Sequence, residues 1–249
     1  MSRVLALYQI KGGVGKTATA VNLAFLAAAE GYRTLLWDLD PQGATSFYYR
    51  VRPKVKGGAR KLVLRKRALD EVIKGTDYGG LDLIPADFSY RNLDLDLAGV
   101  RKPHTRIRKL LKPVARDYDL ILLDCAPGIT LTSESVFHAV DALVVPLIPT
   151  TLSVRTYHQL QDHLSVHGPR RLPCRPFFSM VDRRRGMHRA LVDTLSHEIP
   201  EILPIEIPYS AEVERMGTRR APVCEFAPRS PVTDAYRRLL RAVMGQPAG

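Results

Sequence analysis

The sequence predicts an α/β fold, a mostly parallel, twisted sheet flanked by helices on both faces. Three observations predict it. Short apolar runs alternate with helical stretches along the chain. The first run feeds a glycine-rich turn that ends in Lys-Thr. Two later runs end in aspartates, and open α/β sheets gather ligands at the carboxyl ends of their strands.

In chain order, the apolar run Val4-Leu5-Ala6-Leu7-Tyr8 predicts a strand over 3–8. A helix near 16–30 carries Ala20, Leu23, Ala24 and Ala27 at helical spacing, and Gly31 is placed to stop it. Thr34-Leu35-Leu36-Trp37 predicts a strand over 33–38, and Leu120-Ile121-Leu122-Leu123 one over 119–124. Further strands are expected near 81–85, 142–147, 175–180 and 203–207. Helices are expected near 68–74, 104–116, 132–139, 153–166, 187–198 and 231–244. The chain has 249 residues, no internal repeat and no low-complexity linker, so one domain over 1–249 is expected.

Residues 10–17 read Ile-Lys-Gly-Gly-Val-Gly-Lys-Thr. The usual phosphate-loop pattern has glycine where this chain has Ile10, and Lys11 follows as a second lysine. Gly12, Gly13 and Gly15 let the backbone turn its N–H groups toward an anion, above the positive end of a helix. Lys16 can reach the β- and γ-phosphates of a nucleotide, and the Thr17 hydroxyl suits Mg²⁺.

Two further segments complete the expected site. Asp38-Leu39-Asp40-Pro41-Gln42-Gly43 follows the second strand, and Asp124-Cys125-Ala126-Pro127-Gly128 follows a later one. Asp124 fits the acidic residue that holds the Mg²⁺ water shell, and Asp40 is placed to orient or activate an attacking water. Cys125 is expected to pack there as a small apolar residue. A single aspartate after a strand is more often a cap or turn former, so the weight rests on the three segments together.

These three segments resemble the ParA/Soj branch of the deviant-Walker-A (MinD/ParA) ATPases. Weaker similarity continues through Val145-Pro146-Leu147-Ile148-Pro149, Phe178-Ser179-Met180-Val181-Asp182, and Ile207-Pro208 followed by Glu212. The resemblance implies ATP as substrate with Mg²⁺. It implies that Lys16 binds phosphate in its own subunit, while Lys11 reaches across a homodimer interface to the partner's nucleotide. Lys11, Lys16 and Asp40 would be the catalytic set, and Thr17, Asp40 and Asp124 the metal set. Lys11, Gly12, Gly13, Val14, Gly15, Lys16, Thr17 and Thr19 would surround the nucleotide, with Met180 and Pro208 near the adenine. One departure follows Gly43, where Ala44-Thr45-Ser46 replaces the family's commoner Asn-Ala-Thr.

Charge is the second informative feature, at a formal net +12. Residues 50–67 hold nine basic side chains and no acidic one, in what reads as a partly flexible excursion centred on Gly57-Gly58. Residues 101–116 add seven more basic side chains. Such clusters bind nucleic-acid phosphates in a salt-sensitive way, or simply keep a surface solvated. By resemblance, the ATP-bound dimer binds non-specific DNA, and a ParB-like or cargo-adaptor protein stimulates hydrolysis. The family's DNA contacts lie mainly in the C-terminal half, which points to Arg183, Arg184, Arg185, Arg189, Arg219 and Arg220. Residues 50–67 could add a second DNA contact or an interface loop.

No helix-turn-helix precedes the phosphate loop, so sequence-specific operator binding is not expected. No stretch resembles a signal peptide, and no apolar run approaches membrane-spanning length. Three widely spaced cysteines without a C-x-x-C pair fit reduced thiols in a cytoplasm, and the resemblance implies association with the nucleoid. The alternative is a MinD-like ATPase on a membrane surface. It would use the basic amphipathic helix at 233–244, with no further anchor in Gln246-Pro247-Ala248-Gly249.

Overall fold

A computed structural model describes residues 2–245; the Gln246–Gly249 tail lies outside the described residues. Its frame is one eight-stranded sheet. The strands are β1 (Arg3–Leu7), β2 (Thr34–Asp38), β3 (Lys74–Gly75), β4 (Leu81–Ile84), β5 (Leu120–Asp124), β6 (Ala142–Leu147), β7 (Cys174–Val181) and β8 (Glu206–Pro208). They lie in the order β3-β4-β2-β5-β1-β6-β7-β8. All pairings are parallel except β3 with β4. Strands β2, β5 and β6 are buried along their whole length, which explains why they read as continuous apolar runs. The register aligns Leu7 and Asp38 with Asp124, so three central strands end level.

The helices are α1 (Lys16–Ala29), α2 (Ala44–Tyr48), α3 (Gly58–Val63), α4 (Leu93–Ala98), α5 (Arg106–Leu111) and α6 (Leu131–Phe137). Then come α7 (Thr151–His167), α8 (Gly186–Glu198), α9 (Ala211–Arg219), α10 (Val223–Phe226) and α11 (Pro231–Met244). Helices α3 to α8 supply residues to the core on one face of the sheet, and α1 with α9 to α11 to the core on the other. The α/β architecture with helices on both faces is as expected.

Three local expectations are corrected. The helix expected over 68–74 is only a 3-10 turn, Asp70–Val72. Ile73 then takes an extended backbone, and Lys74–Gly75 pair with β4 instead. The last strand starts at Glu206 rather than 203, because Pro204 has no N–H to give a ladder. The 50–67 excursion is anchored rather than loose: α3 buries Ala59, Leu62 and Val63 in the core.

Helix α11 settles where its apolar stripe goes. Ser230 caps it, and Val232, Ala235, Tyr236, Leu239, Leu240 and Val243 are all buried, packed with α1 in the second core. That face is therefore not available to lipid in this fold. No helix among the described residues is long and apolar enough to cross a membrane.

Candidate nucleotide site

The loop between β1 and α1 has the backbone that its glycines permit. Gly13 (φ 71°) and Gly15 (φ 93°) are left-handed, and Gly15 is the residue from which α1 starts. A Cβ at Gly15 would also lie 2.8 Å from Ser179 Oγ, so both its conformation and its surroundings require glycine. Ile10, in place of the usual glycine, packs partly against the first core. Its carbonyl accepts a hydrogen bond from Gly128 N at 3.0 Å, which ties the loop to the 124–128 segment.

Lys16 is 7 % exposed, and its Nζ donates to the Lys11 carbonyl at 3.1 Å. Burial lowers its pKa, against the pull of Asp124 and Asp40. Lys11 is less buried and has no ion pair among the described residues.

Opposite the lysines lie three aspartates. Asp38 and Asp124 face each other across β2 and β5, and both are essentially buried. Asp38 Oδ2 accepts from Ser46 N at 2.8 Å and Ser46 Oγ at 2.7 Å. Asp124 Oδ2 accepts from Thr45 Oγ1 at 2.7 Å, while its Oδ1 is buried without a hydrogen-bond partner. Asp40 is half-buried, and its Oδ1 accepts from Gln42 N at 2.9 Å. Cys125 is buried beside them, as expected, and burial pushes its thiol up.

An anion cradle of N–H groups, a buried lysine, an adjacent Thr17 hydroxyl and an unpartnered carboxylate oxygen are the donor set that a nucleotide phosphate with Mg²⁺ requires. The residues present therefore fit that group. Asp38, Thr45 and Ser46 are the members that sequence reasoning missed. The two hydroxyls in the departure at 44–46 explain why it is tolerated: they are the side chains that hold Asp124 and Asp38.

Two buried carboxyls at one point have a measurable consequence. Burial, helped by the Asp124 charge, pushes Asp38 up to about 7, against Ser46. Burial pushes Asp124 up to about 6, against Thr45, Thr17 and Lys16. Both folded values lie above the unfolded one, so the folded state holds protons that the unfolded state has lost. The stabilisation is fully present below about pH 4 and is lost as pH rises through the folded values, to about 7. For the nucleotide-free protein, the melting temperature of wild type relative to Asp38→Asn should therefore decline between about pH 4.5 and 7.5. A difference that does not vary with pH, measured by differential scanning fluorimetry, would refute the shifted pair.

Met180 and Pro208 line one small cleft with Gly15, Ala18 and Tyr209. Met180 holds a left-handed backbone (φ 55°), a conformation that costs a side-chain-bearing residue about 1–2 kcal/mol. Thr19 does not join this cleft. It is 1 % exposed on the packed side of α1, and Ala18 takes the lining position.

The six expected DNA-contact arginines are exposed but divided between two places. Arg183 donates to Glu206 at 2.9 Å, and Arg184 to Asp182 at 2.9 Å, beside Arg185 and Arg189 at the start of α8. Arg219 lies over the Phe226 ring at the end of α9. Arg220 lies 4.6 Å over the Phe47 ring and donates to the Phe47 carbonyl at 3.2 Å. Phe47 belongs to α2, the helix that carries Thr45 and Ser46.

Residues 2–167 match the AAA domain family. The chain is 27 % identical over 256 residues to the sporulation initiation inhibitor protein Soj of Bacillus subtilis, covering 98 % of each. It is 30 % identical over 253 residues to the chromosome partitioning protein ParA of Caulobacter vibrioides, covering 98 % of this chain and 94 % of the relative. Among solved structures, a putative plasmid partition protein from Borrelia burgdorferi bound to AMPPNP superposes with a TM-score of 0.85. That match has 20 % identity and covers 98 % of this chain and 99 % of the other. With the deviant phosphate loop at 10–17, the level carboxylates of β2 and β5 and relatives matched end to end, the chain belongs to the ParA/Soj family of partition ATPases.

Proposed function

We propose that this chain is a single-domain, ATP-gated positioning ATPase. Two subunits close over ATP, the dimer binds non-specific duplex DNA, and hydrolysis stimulated by a cargo-linked partner releases it. The observation that carries the reading is the division between the two lysines. Lys16 is buried and committed to its own loop, while Lys11 lies at the rim of the same loop without an ion pair among the described residues.

In this reading the loop N–H groups and Lys16 hold the β- and γ-phosphates. Thr17 and Asp124 hold Mg²⁺, which when bound neutralises charge that develops on the phosphate oxygens. Asp40 orients or activates the water. Met180 and Pro208 flank the base. The Arg220–Phe47 contact supports a link between this site and the basic surface, since α2 touches both the carboxylates and that arginine. Two modest DNA-binding faces on one dimer bind more tightly than either alone, which makes DNA retention depend on nucleotide. Burial of the apolar stripe of α11 supports DNA over lipid as the surface bound.

Retention on duplex DNA should be high with ATP and low with ADP or no nucleotide, at about 0.15 M salt. Equal retention in all three states would sink the switch. Lys11→Ala should keep ATP binding within a few-fold and lose the ATP-dependent dimer in analytical ultracentrifugation. A variant that still dimerises with ATP would remove the role given to Lys11.

A further inference from the structure

The two acid-free basic stretches, more than thirty residues apart in sequence, lie side by side in the fold. Helix α3 turns Leu62 and Val63 inward, and α5 turns Ile107 and Leu110 toward the same apolar space. The positions left outside are the charged ones. Eight exposed lysines and arginines come from 50–67 and six from 101–116. Of these fourteen, only Arg50, beside Asp77, and Arg60, beside Asp96, have a carboxylate within 4.0 Å among the described residues. The contrast with the C-terminal cluster is direct, because Arg183 and Arg184 are already paired with Glu206 and Asp182.

Two more observations favour a binding surface over a solvated one. Arg65 (φ 56°) and Lys102 (φ 60°) hold left-handed backbones, where glycine or asparagine would be easier. The face is also anchored to the nucleotide site by a short chain of hydrogen bonds. Ser46 Oγ donates to Asp38 and accepts from Ala86 N at 2.8 Å. The next residue, Asp87, accepts from Val55 N at 2.7 Å, and Ser89 Oγ accepts from Ala59 N in the first turn of α3 at 2.8 Å.

We propose that the α3–α5 face is a docking surface for the phosphate backbone of duplex DNA, separate from the C-terminal arginines. This rests on the DNA-binding reading above. Nucleic acid is favoured over an acidic protein by the lack of anchors. Protein interfaces rely on large apolar or aromatic side chains, and the one exposed large hydrophobic residue of these two stretches is Leu64. A face on which twelve of fourteen exposed cations have no carboxylate within 4.0 Å among the described residues suits a polyanion whose contacts are electrostatic.

The test uses the full chain with ATP and Mg²⁺ and a fluorescein-labelled duplex of random sequence, titrated by anisotropy across a range of salt. The face variant carries Lys54→Ala, Lys56→Ala, Lys61→Ala, Lys109→Ala and Lys112→Ala, all at exposed positions away from the nucleotide loop. The comparison variant carries Arg185→Ala and Arg189→Ala. Each neutralised phosphate contributes about 0.9 to the slope of log affinity against log salt. The face variant should lose about 2–4 of that slope and at least tenfold in affinity near 0.15 M salt, with basal ATP hydrolysis unchanged. An unchanged slope and affinity, with binding lost only in the Arg185/Arg189 variant, would overturn this proposal and leave the functional reading intact. Wild type that binds no duplex in any nucleotide state would overturn both. Loss by the face variant of polyglutamate binding, with duplex binding unaffected, would reassign the face to an acidic protein.

Discussion

Lys16→Met should abolish nucleotide binding while leaving the fold standing. Among the described residues the ammonium is the one buried lysine, and it acts on Asp124 and Asp40. Truncating one partner of a buried charge pair costs roughly 2–5 kcal/mol, or about thirtyfold to several thousandfold in affinity. Stability should behave differently. Burial already disfavours the charged lysine in the nucleotide-free protein, as its lowered pKa shows. Methionine fills similar space and loses the bond to the Lys11 carbonyl and the attraction to Asp124 and Asp40. A change within about 1 kcal/mol shifts a chain of this size by roughly 2–4 °C, and no larger fall in melting temperature is expected. Calorimetric titration with ATP and thermal melts on the same sample separate the two effects. Wild-type affinity in the variant would remove Lys16 from the site. Loss of the fold would mean that the lysine is structural.

What could be read from the sequence follows from which residues have few physical alternatives. The phosphate loop was legible because glycine takes the left-handed backbone at 13 and 15 without the cost a side chain carries, and a strand end places Asp124 beside it. The seven longer strands were legible because buried parallel strands are apolar throughout. The role of Asp38 is not legible in the sequence, because its environment depends on α2. That helix has five residues, too few to show a helical period. The same limit hid α3, α4 and α10. Helix α9 is longer but buries only Met216, so it has no apolar stripe to find. Basic clusters could be counted but not judged. Glu206 stands 23 residues from Arg183, and nothing local shows that the two pair. Nor could periodicity reveal that α3 packs against α5.

Asp40→Asn should slow ATP hydrolysis by about 10²–10⁴-fold, the usual contribution of a positioned general base, while ATP binding and dimer formation persist. The asparagine is chosen because Asp40 has two separable properties. Its Oδ1 accepts from Gln42 N and shapes the turn that leads into α2. An amide oxygen can accept the same bond, so a residue needed only for the turn would survive the exchange. Its charge also acts on Lys16 and Asp124, the residues proposed to hold phosphate and Mg²⁺. That charge is what asparagine removes. Phosphate release by the protein with ATP, Mg²⁺ and duplex DNA gives the rate, and ultracentrifugation with ATP tests for the dimer. On DNA the two combine, because a dimer that forms and cannot hydrolyse should stay bound after free ATP is diluted away. A rate within threefold of wild type would make Asp40 a turn former. Loss of the dimer together with the rate would place it at the interface instead, and only persistent binding with stalled hydrolysis agrees with a water-positioning carboxylate.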